Sequence, residues 1–198
     1  AATATQVFSL AVEPTNLFID ASSFIDVSGK GYLVGRTEGN TTAGGTTGTS
    51  GGGYGGRGFG SQSNATYGDP LYPYKPGSGG GTNWSAAGAG GGVAHLFAQE
   101  ITVQGGIKAN GADGAVYADP AGSGGSILIN AATLSGSGAV SANGGKGYAQ
   151  GGSGGGGRVA VYPMGDMTLP RANITASGGT GGGGAGQEGT VRIPEEPV

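Results

Sequence analysis

Residues that could perform chemistry are few in this chain, and they lie far apart. His95 is the only histidine and there is no cysteine, which excludes multi-histidine metal sites, thiolate zinc sites and disulfides. Alternation with Ala94 and Leu96 predicts that His95 points outward from a strand. The carboxylates that could form a glycosidase pair are scattered along the sequence: Asp20, Asp26, Glu100, Asp113, Asp119 and Asp166. We therefore expect no enzyme activity, no catalytic residue, no metal and no cofactor.

Two glycine-containing motifs resemble known ligand-binding sequences, but each lacks the flanking sequence that such a site needs. "GGSGGGGR" contains G-x-G-x-x-G, but no strand–helix pattern surrounds it, so it does not indicate a phosphate site. Asp113 in "NGADGAVYAD" resembles the calcium-binding nonapeptide, yet the glycine spacing differs and no tandem copy follows. A turn aspartate is the favoured interpretation.

Residues that could bind or carry sugars are more numerous in this sequence than residues that could catalyse a reaction. Trp84, Tyr72 and Tyr74 lie in a Gly-rich stretch, where their flat faces could stack on sugar rings; packing within that stretch is the alternative. Four N-x-S/T sequons predict attached glycans. The acceptor residues are Asn40, Asn64, Asn83 and Asn173.

Composition narrows the class of protein. The 198 residues include 50 glycines but only 9 prolines and no strict G-X-Y period, so collagen is excluded. Charged residues make up 11% of the chain and the net charge is −3, which provides no basic surface for nucleic acid. No long apolar run and no signal-peptide pattern occur, so membrane insertion is not expected. The low charge and the sequons favour an extracellular or cell-surface protein.

A repeat of about 33 residues runs through the chain. Ile107, Val140 and Ile174 each open a segment that ends in "KANG", "SANG" or "TASG". The strands before these segments keep the same spacing, and a degenerate copy, "NLFIDASSFIDVSG", precedes them. With no helical pattern between copies, the repeat predicts an all-β fold.

Two all-β architectures remain open. Stacking of the copies as coils of a parallel β-solenoid is the favoured one, and a two-sheet β-sandwich or jelly roll is the alternative. In either case one shared core is expected. Its predicted members are Ile25, Leu96, Ile107, Ile127, Ile129, Val140, Val159, Val161, Ile174, Val191 and Ile193.

Residues 15–198 are interpreted as a single Gly-rich β domain with an insertion at 29–92. The insertion is too polar and too Gly-rich for core strands, but its many aromatic residues argue against disorder. We expect an ordered, irregular flap built of turns. Elsewhere, the Gly tracts are expected to let backbones approach closely and pack as extended rods.

Residues 1–14 alternate as an extended strand outside the repeat and end at Pro14. Such a strand could be donated to a neighbouring subunit, with Phe8, Leu10 and Val12 filling its apolar groove. The alternative is that it forms the first strand of its own sheet.

The succession "IDVSGKGY", "YGDP", "GGGVAHLFAQEITVQGGIKANG" and "GGSILINAATLSGSGAVSANGG" resembles a Gly-rich domain repeated in very large secreted bacterial proteins. It is also similar to subunits of glycan-coated extracellular fibrils. The resemblance implies an extracellular structural role and no active site. We expect a filament subunit assembled head to tail, whose partners are itself and covalent glycans; a carbohydrate-binding adhesin module is the alternative.

Overall fold

Short β-strands form nearly all of the regular structure. The computed structural model describes residues 2–82 and 86–194, and ten strands lie within them. Their bounds are β1 (Leu10–Val12), β2 (Asn16–Ile19), β3 (Phe24–Asp26), β4 (Val93–Val103), β5 (Gly106–Lys108), β6 (Ser126–Gly136), β7 (Ala139–Ser141), β8 (Arg158–Pro163), β9 (Ile174–Thr175) and β10 (Thr190–Arg192). Two single 3₁₀ turns, Glu38–Asn40 and Arg171–Asn173, complete the regular elements of the described residues. The prediction of an all-β chain is confirmed.

The strands form two sheets in which every neighbouring pair is parallel. Sheet A has the order β1-β4-β6-β8-β10, and β2 pairs with the later part of β4 beside β1. Sheet B has the order β3-β5-β7-β9. Each coil adds one level to sheet A and then one level to sheet B, which makes the fold a parallel β-solenoid. The sandwich alternative is wrong because it requires antiparallel pairing.

The repeat of about 33 residues is the strand register. Leu10, Ala94, Ile127, Val159 and Val191 occupy one row across the five levels of sheet A. Their side chains point to the same side, because pairing without slippage keeps every second residue on one face. Period and alternation therefore place the apolar residues of successive coils directly above one another.

The core lies between the two sheets. Most of the predicted core residues are fully or almost fully buried: Leu96, Ile107, Ile127, Ile129, Val140, Val159, Val161 and Ile174. Ile25 and Ile193 are only partly buried, since they lie in the first and last coils. The prediction for Val191 is wrong: it is 43% exposed, because no described strand covers β10.

The Gly tracts connect sheet B back to sheet A and pack against each other as extended rods. In the tract at 151–157, the Gly154 N–H donates to Gly145 O (3.0 Å) and the Gly156 N–H donates to Gln187 O (2.9 Å). The N–H groups of one rod thus donate to carbonyl groups of different neighbouring segments. An extended rod with about three residues per turn points successive Cα positions in three directions. A Cβ at Gly154 would collide with the carbonyl oxygen of Gly122, so this position must be glycine.

The described part of the insertion, residues 29–82 and 86–92, consists of turns and irregular segments apart from the 3₁₀ turn Glu38–Asn40, and it contains no strand before β4 begins at Val93. One portion joins the glycine rods, for example through Gly77 N–H, which donates to Gly91 O (2.9 Å). Another portion, residues 67–76, crosses the outer face of sheet A, and we call it the strap.

Three strands of sheet A hold the strap through its backbone carbonyls. Arg158 Nη2 donates to Tyr67 O (2.8 Å) and Ser126 Oγ donates to Lys75 O (2.6 Å). On β4, His95 Nε2 lies 3.0 Å from the carbonyl oxygen of Pro73. His95 thus points outward as predicted, and it contacts the strap. Within residues 2–82 and 86–194 no helix has the length and apolarity to cross a membrane.

Candidate self-assembly site

The N-terminal end of the solenoid is an open sheet edge formed by β1, β2 and β3. One edge of each strand pairs with β4 or β5, and no described strand pairs with the other edge. Phe8, Leu10, Phe18 and Phe24 are exposed here, and Phe18 retains 69% of its surface. Unpaired N–H and C=O groups beside exposed aromatic rings form a template for another strand.

The N-terminal segment contributes less regular structure than the alternation of residues 1–14 predicts. Only Leu10–Val12 forms a strand, parallel to Ala94–Leu96 of the same chain. The Ala2 N–H donates to Lys30 O (3.0 Å), which fastens the start of the described segment to its own domain. Phe8 and Leu10 are exposed at the end of the solenoid and Val12 is half-buried.

No described strand covers the C-terminal end either, and this end is uneven. Sheet A reaches a fifth level with β10, whereas sheet B stops at the fourth with β9. A groove of about 260 Å³ lies between them, lined by residues of both strands that include Ile174, Ala176 and Val191. One strand position next to β9 is therefore empty among the described residues.

Charges differ between the two ends. Glu13, Asp20 and Asp26 are exposed at the N-terminal end, together with one lysine, Lys30. Hydrogen bonds from the Ser22 hydroxyl and N–H, and from the Ser23 hydroxyl, lower the pKa of Asp20, so this carboxylate stays ionised. Exposed residues at the C-terminal end include Arg171, Arg192 and Glu188. Among the described residues, the N-terminal end thus carries mainly acidic groups and the C-terminal end carries groups of both signs.

A ladder of side chains, which the sequence analysis did not identify, runs up the solenoid where sheet B meets the glycine rods. Asn110 Oδ1 accepts from the Asn143 N–H (2.7 Å), and Asn143 Oδ1 accepts from the Ser177 N–H (2.8 Å). Below them, Ser28 Oγ accepts from the Asn110 N–H (3.1 Å). The signal was present in the sequence as the polar residue of "VSG", "KANG", "SANG" and "TASG".

The predicted glycosylation residues occupy different environments. Asn40 and Asn173 are half-buried at the surface, and Asn173 Nδ2 donates to the carbonyls of Ser137 and Gly138 (both 3.0 Å). Asn64, in contrast, is buried, which leaves a glycan no access to its side chain. Its side chain is 4% exposed, and its amide accepts from Gly53 N–H and donates to Gly53 O and Thr37 Oγ1. Asn83 lies outside the described residues.

Tyr72 and Tyr74, predicted to stack on sugars, are exposed on the strap. The Tyr72 ring lies on that of Tyr162, with centroids 5.8 Å apart and planes 24° apart. Phe97 is exposed on the outer face of the same sheet. Together these four rings form what we call the aromatic platform. Trp84, the third predicted residue, lies outside the described residues.

Across residues 2–82 and 86–194 no group of three or more histidine, aspartate or glutamate side chains is placed to hold a metal ion. Asp119 is fully buried and its Oδ2 accepts from the Val116 N–H (2.9 Å), which matches a role in a turn.

Comparison of the chain with protein-family models, curated proteins and solved structures gives no match. Function is therefore inferred from the geometry of the chain itself.

Proposed function

We propose that this protein is a structural subunit of an extracellular, glycosylated filament that assembles head to tail by β-strand addition. One observation carries the proposal: no described strand covers either end of the solenoid, and the two ends present the same strand direction and the same row spacing. At one end of the stack β1 lacks a neighbour on its outer edge, and at the other end β10 lacks a neighbour on its outer edge. Each strand can therefore supply the neighbour that the other lacks. A contact between unlike ends does not close on itself and propagates as a fibre.

The register specifies the junction. Val191 of one subunit and Leu10 of the next belong to the same row of sheet A, so β10 would pair through its free edge with the free edge of β1. Strand addition of this kind needs no release of β1 from β4. Phe8, Leu10 and Val12 are then the contact residues on the N-terminal side, as the sequence suggested.

Full donation of residues 2–12 into the neighbour is the other form of the same proposal. The uneven C-terminal end supports it, because the empty position next to β9 has room for an added strand. Val191 becomes buried in both forms. With in-place pairing β1 stays paired with β4 of the same chain, whereas with full donation it leaves β4 and pairs with the neighbouring subunit.

Glycans are proposed on Asn40 and Asn173, whose side chains are half-buried at the surface; a glycan on Asn173 would replace one of its two Nδ2 hydrogen bonds. The extracellular location is supported by the same sequons and by the low charge of the chain. Intact-mass measurement before and after N-glycosidase treatment of the native protein tests this part, and an unchanged mass would contradict it.

Substitution at the junction tests the filament. Leu10→Lys places a charge in the row that must be buried at the junction, so it should abolish long assemblies in negative-stain microscopy while leaving the domain folded. Leu71→Lys is the matched control, since Leu71 is similarly exposed (45% against 38% for Leu10) but lies on the strap. Filaments of undiminished length from Leu10→Lys would refute the proposed junction.

A carbohydrate-binding surface module is the second candidate, favoured by the aromatic platform. Rings that lie flat and exposed on a rigid sheet can stack on the apolar faces of sugars. The double substitution Tyr72→Ala and Tyr74→Ala should then abolish retention on immobilised polysaccharide without affecting assembly. Retention unchanged by the double substitution would remove this candidate.

A further inference from the structure

We infer that the turns at 115–118 and 148–150 form a binding site for a neutral saccharide, separate from the solenoid ends and from the aromatic platform. Each turn joins a glycine rod that leaves sheet B to one that returns to sheet A. The two turns lie side by side and enclose an open pocket of about 580 Å³. The pocket is lined by Val116, Tyr117, Ala118, Tyr148, Ala149 and Gln150.

The strained backbone at these turns indicates that their side chains have a role other than forming the turn. Tyr117 (φ 52°) and Ala149 (φ 47°) adopt the left-handed conformation, which is unfavourable for residues with a Cβ and unusual for a bulky aromatic. The corresponding position in the next coil is Gly182, at φ 51°. The same turn can thus be built with glycine, so the turn geometry does not explain the tyrosine. Strained residues of this kind concentrate at functional sites.

The tyrosine rings face outward instead of completing the core. Tyr117 is 74% exposed, and Tyr148 and Val116 are also exposed. Three large apolar side chains at the surface of a chain this rich in glycine are costly to solvate, and burial within the fold does not account for them. A ligand that covers them would recover that cost.

One buried residue holds both turns in place. Asp119 Oδ2 accepts from the Val116 N–H (2.9 Å), and the Asp119 N–H donates to Val116 O (3.1 Å). The Asp119 carbonyl accepts from the Tyr148 N–H (3.0 Å), which ties the second turn to the first. The Gly151 N–H closes that second turn on Tyr148 O (2.7 Å). A pocket fixed in this way is preformed, and a ligand need not order it.

The lining selects the chemistry of the ligand. None of the six lining residues carries a formal charge, so an ionic ligand would lose its hydration without gaining a counter-charge. Tyrosine rings offer flat apolar faces, while the tyrosine hydroxyls and the Gln150 amide offer hydrogen-bond donors and acceptors. Flat C–H faces edged by hydroxyl groups are the features of neutral pyranose rings. The volume admits one or two such rings, which is the scale of an ordinary small-ligand pocket.

The test is a glycan array of neutral and acidic oligosaccharides probed with the full chain, followed by calorimetry on the best neutral glycan. Tyr117→Gly removes the ring and relieves the left-handed strain, so affinity should fall at least tenfold while Tm stays at or above that of the parent protein. Ala149→Gly is the matched control: it relieves the same strain, retains both tyrosines and should bind as well as the parent. Tyr148→Ala should also weaken binding at least tenfold.

Each other outcome overturns the inference. Binding to no glycan, or to acidic glycans alone, contradicts the neutral-saccharide site. A large drop in Tm for Tyr117→Gly would assign the ring to packing. Neutral-glycan binding that survives Tyr117→Gly and Tyr148→Ala but is lost with Tyr72→Ala and Tyr74→Ala would place recognition on the aromatic platform. Filament formation is scored separately and is expected to be unaffected by the substitutions in the turns.

Discussion

At the scale of single residues, the stability of this fold depends mainly on positions where two backbone segments are in contact. Inner glycines such as Gly154 have no space for a methyl group, because the carbonyl of a neighbouring rod occupies it. The polar ladder at 28, 110, 143 and 177 acts at the same scale, since the side chains of Ser28, Asn110 and Asn143 each accept from the backbone N–H of the ladder residue in the next coil. Both features are periodic in the sequence, and both are determined by a neighbour about one coil away.

Gly154→Ala should lower the free energy of unfolding by about 3 kcal/mol, because a rigid rod would have to move to admit the Cβ. Gly165→Ala is the control: a Cβ there would meet one atom, Ala132 O, at 3.0 Å. Its cost should stay below about 1 kcal/mol. Urea denaturation of both variants measures the difference, and equal costs would mean that the rods are not packed tightly.

Asn143→Ala removes the ladder acceptor for the Ser177 N–H and should cost about 1 kcal/mol. For a chain of this size that corresponds to a fall in Tm of about 2–4 °C. Lys146→Ala changes the same rod, and the exposed Lys146 side chain is not part of the ladder, so its Tm should be almost unchanged. A thermal scan in which the two variants behave alike would remove the ladder from the stabilising interactions.

At the scale of elements, the strands were readable from the sequence and the connections were not. Alternation around Ile127 and Val159, repeated at about 33 residues, predicted parallel coils because few folds stack identical strands without helices. Packing of the glycine rods was expected only in outline, since glycine carries no side-chain pattern that reveals its partners. The strap was unpredictable because its contacts join Tyr67 and Leu71 to residues about 90 positions away.

The site was predicted unevenly for similar reasons. Phe8, Leu10 and Val12 were identified from alternation, and they lie at an open end as the hypothesis requires. Val191 was assigned to the core, because the row pattern cannot reveal that its row ends there. Asn64 was included among the glycan acceptors because a sequon in a polar stretch gives no sign of the buried hydrogen-bond network around it.

Two positions in one row of sheet A test the strand register. Ile127→Asp buries a charge at a fully buried position and should lower the free energy of unfolding by at least about 4 kcal/mol. Val191→Asp places the same charge in the same row at the open end, where solvent reaches it, and the monomer should remain folded. Circular dichroism and urea denaturation compare the two, and comparable unfolding in both would contradict the row assignment.

Tyr54 and Tyr67, whose rings pack against each other, give the fold a predicted alkaline limit. Burial raises the pKa of Tyr54 to about 12 and that of Tyr67 well above 10. Above pH 10 the unfolded chain loses phenolic protons that the native state retains, so stability is full below pH 10 and falls as pH rises toward 12. The expected slope is about 1.4 kcal/mol per pH unit for each tyrosine. Tyr54→Phe should reduce this slope in urea titrations at pH 10–12, and an unchanged slope would contradict the burial of that hydroxyl.

At the scale of the whole molecule, the open ends should behave as a complementary pair. Leu10→Lys blocks the N-terminal end of one subunit and Val191→Glu blocks the C-terminal end of another, so neither variant alone should polymerise. In the mixture, the two variants alternate along the filament. The junction between the two substituted ends then holds a lysine–glutamate pair, and the junction between the two unsubstituted ends is that of the parent protein. Sedimentation should therefore show large assemblies only in the mixture. Polymers in either single variant, or none in the mixture, would argue against pairing of Leu10 with Val191.

The most direct measurement is electron cryomicroscopy of the purified protein. If β10 pairs with β1 of the next subunit, the five levels of sheet A at a strand spacing of about 4.8 Å give an axial repeat of about 24 Å. Density should then show continuous parallel strands across the junction, with Val191 beside Leu10. Particles that remain monomeric, or filaments whose subunits meet through the strap or the glycine rods, would contradict the proposed assembly.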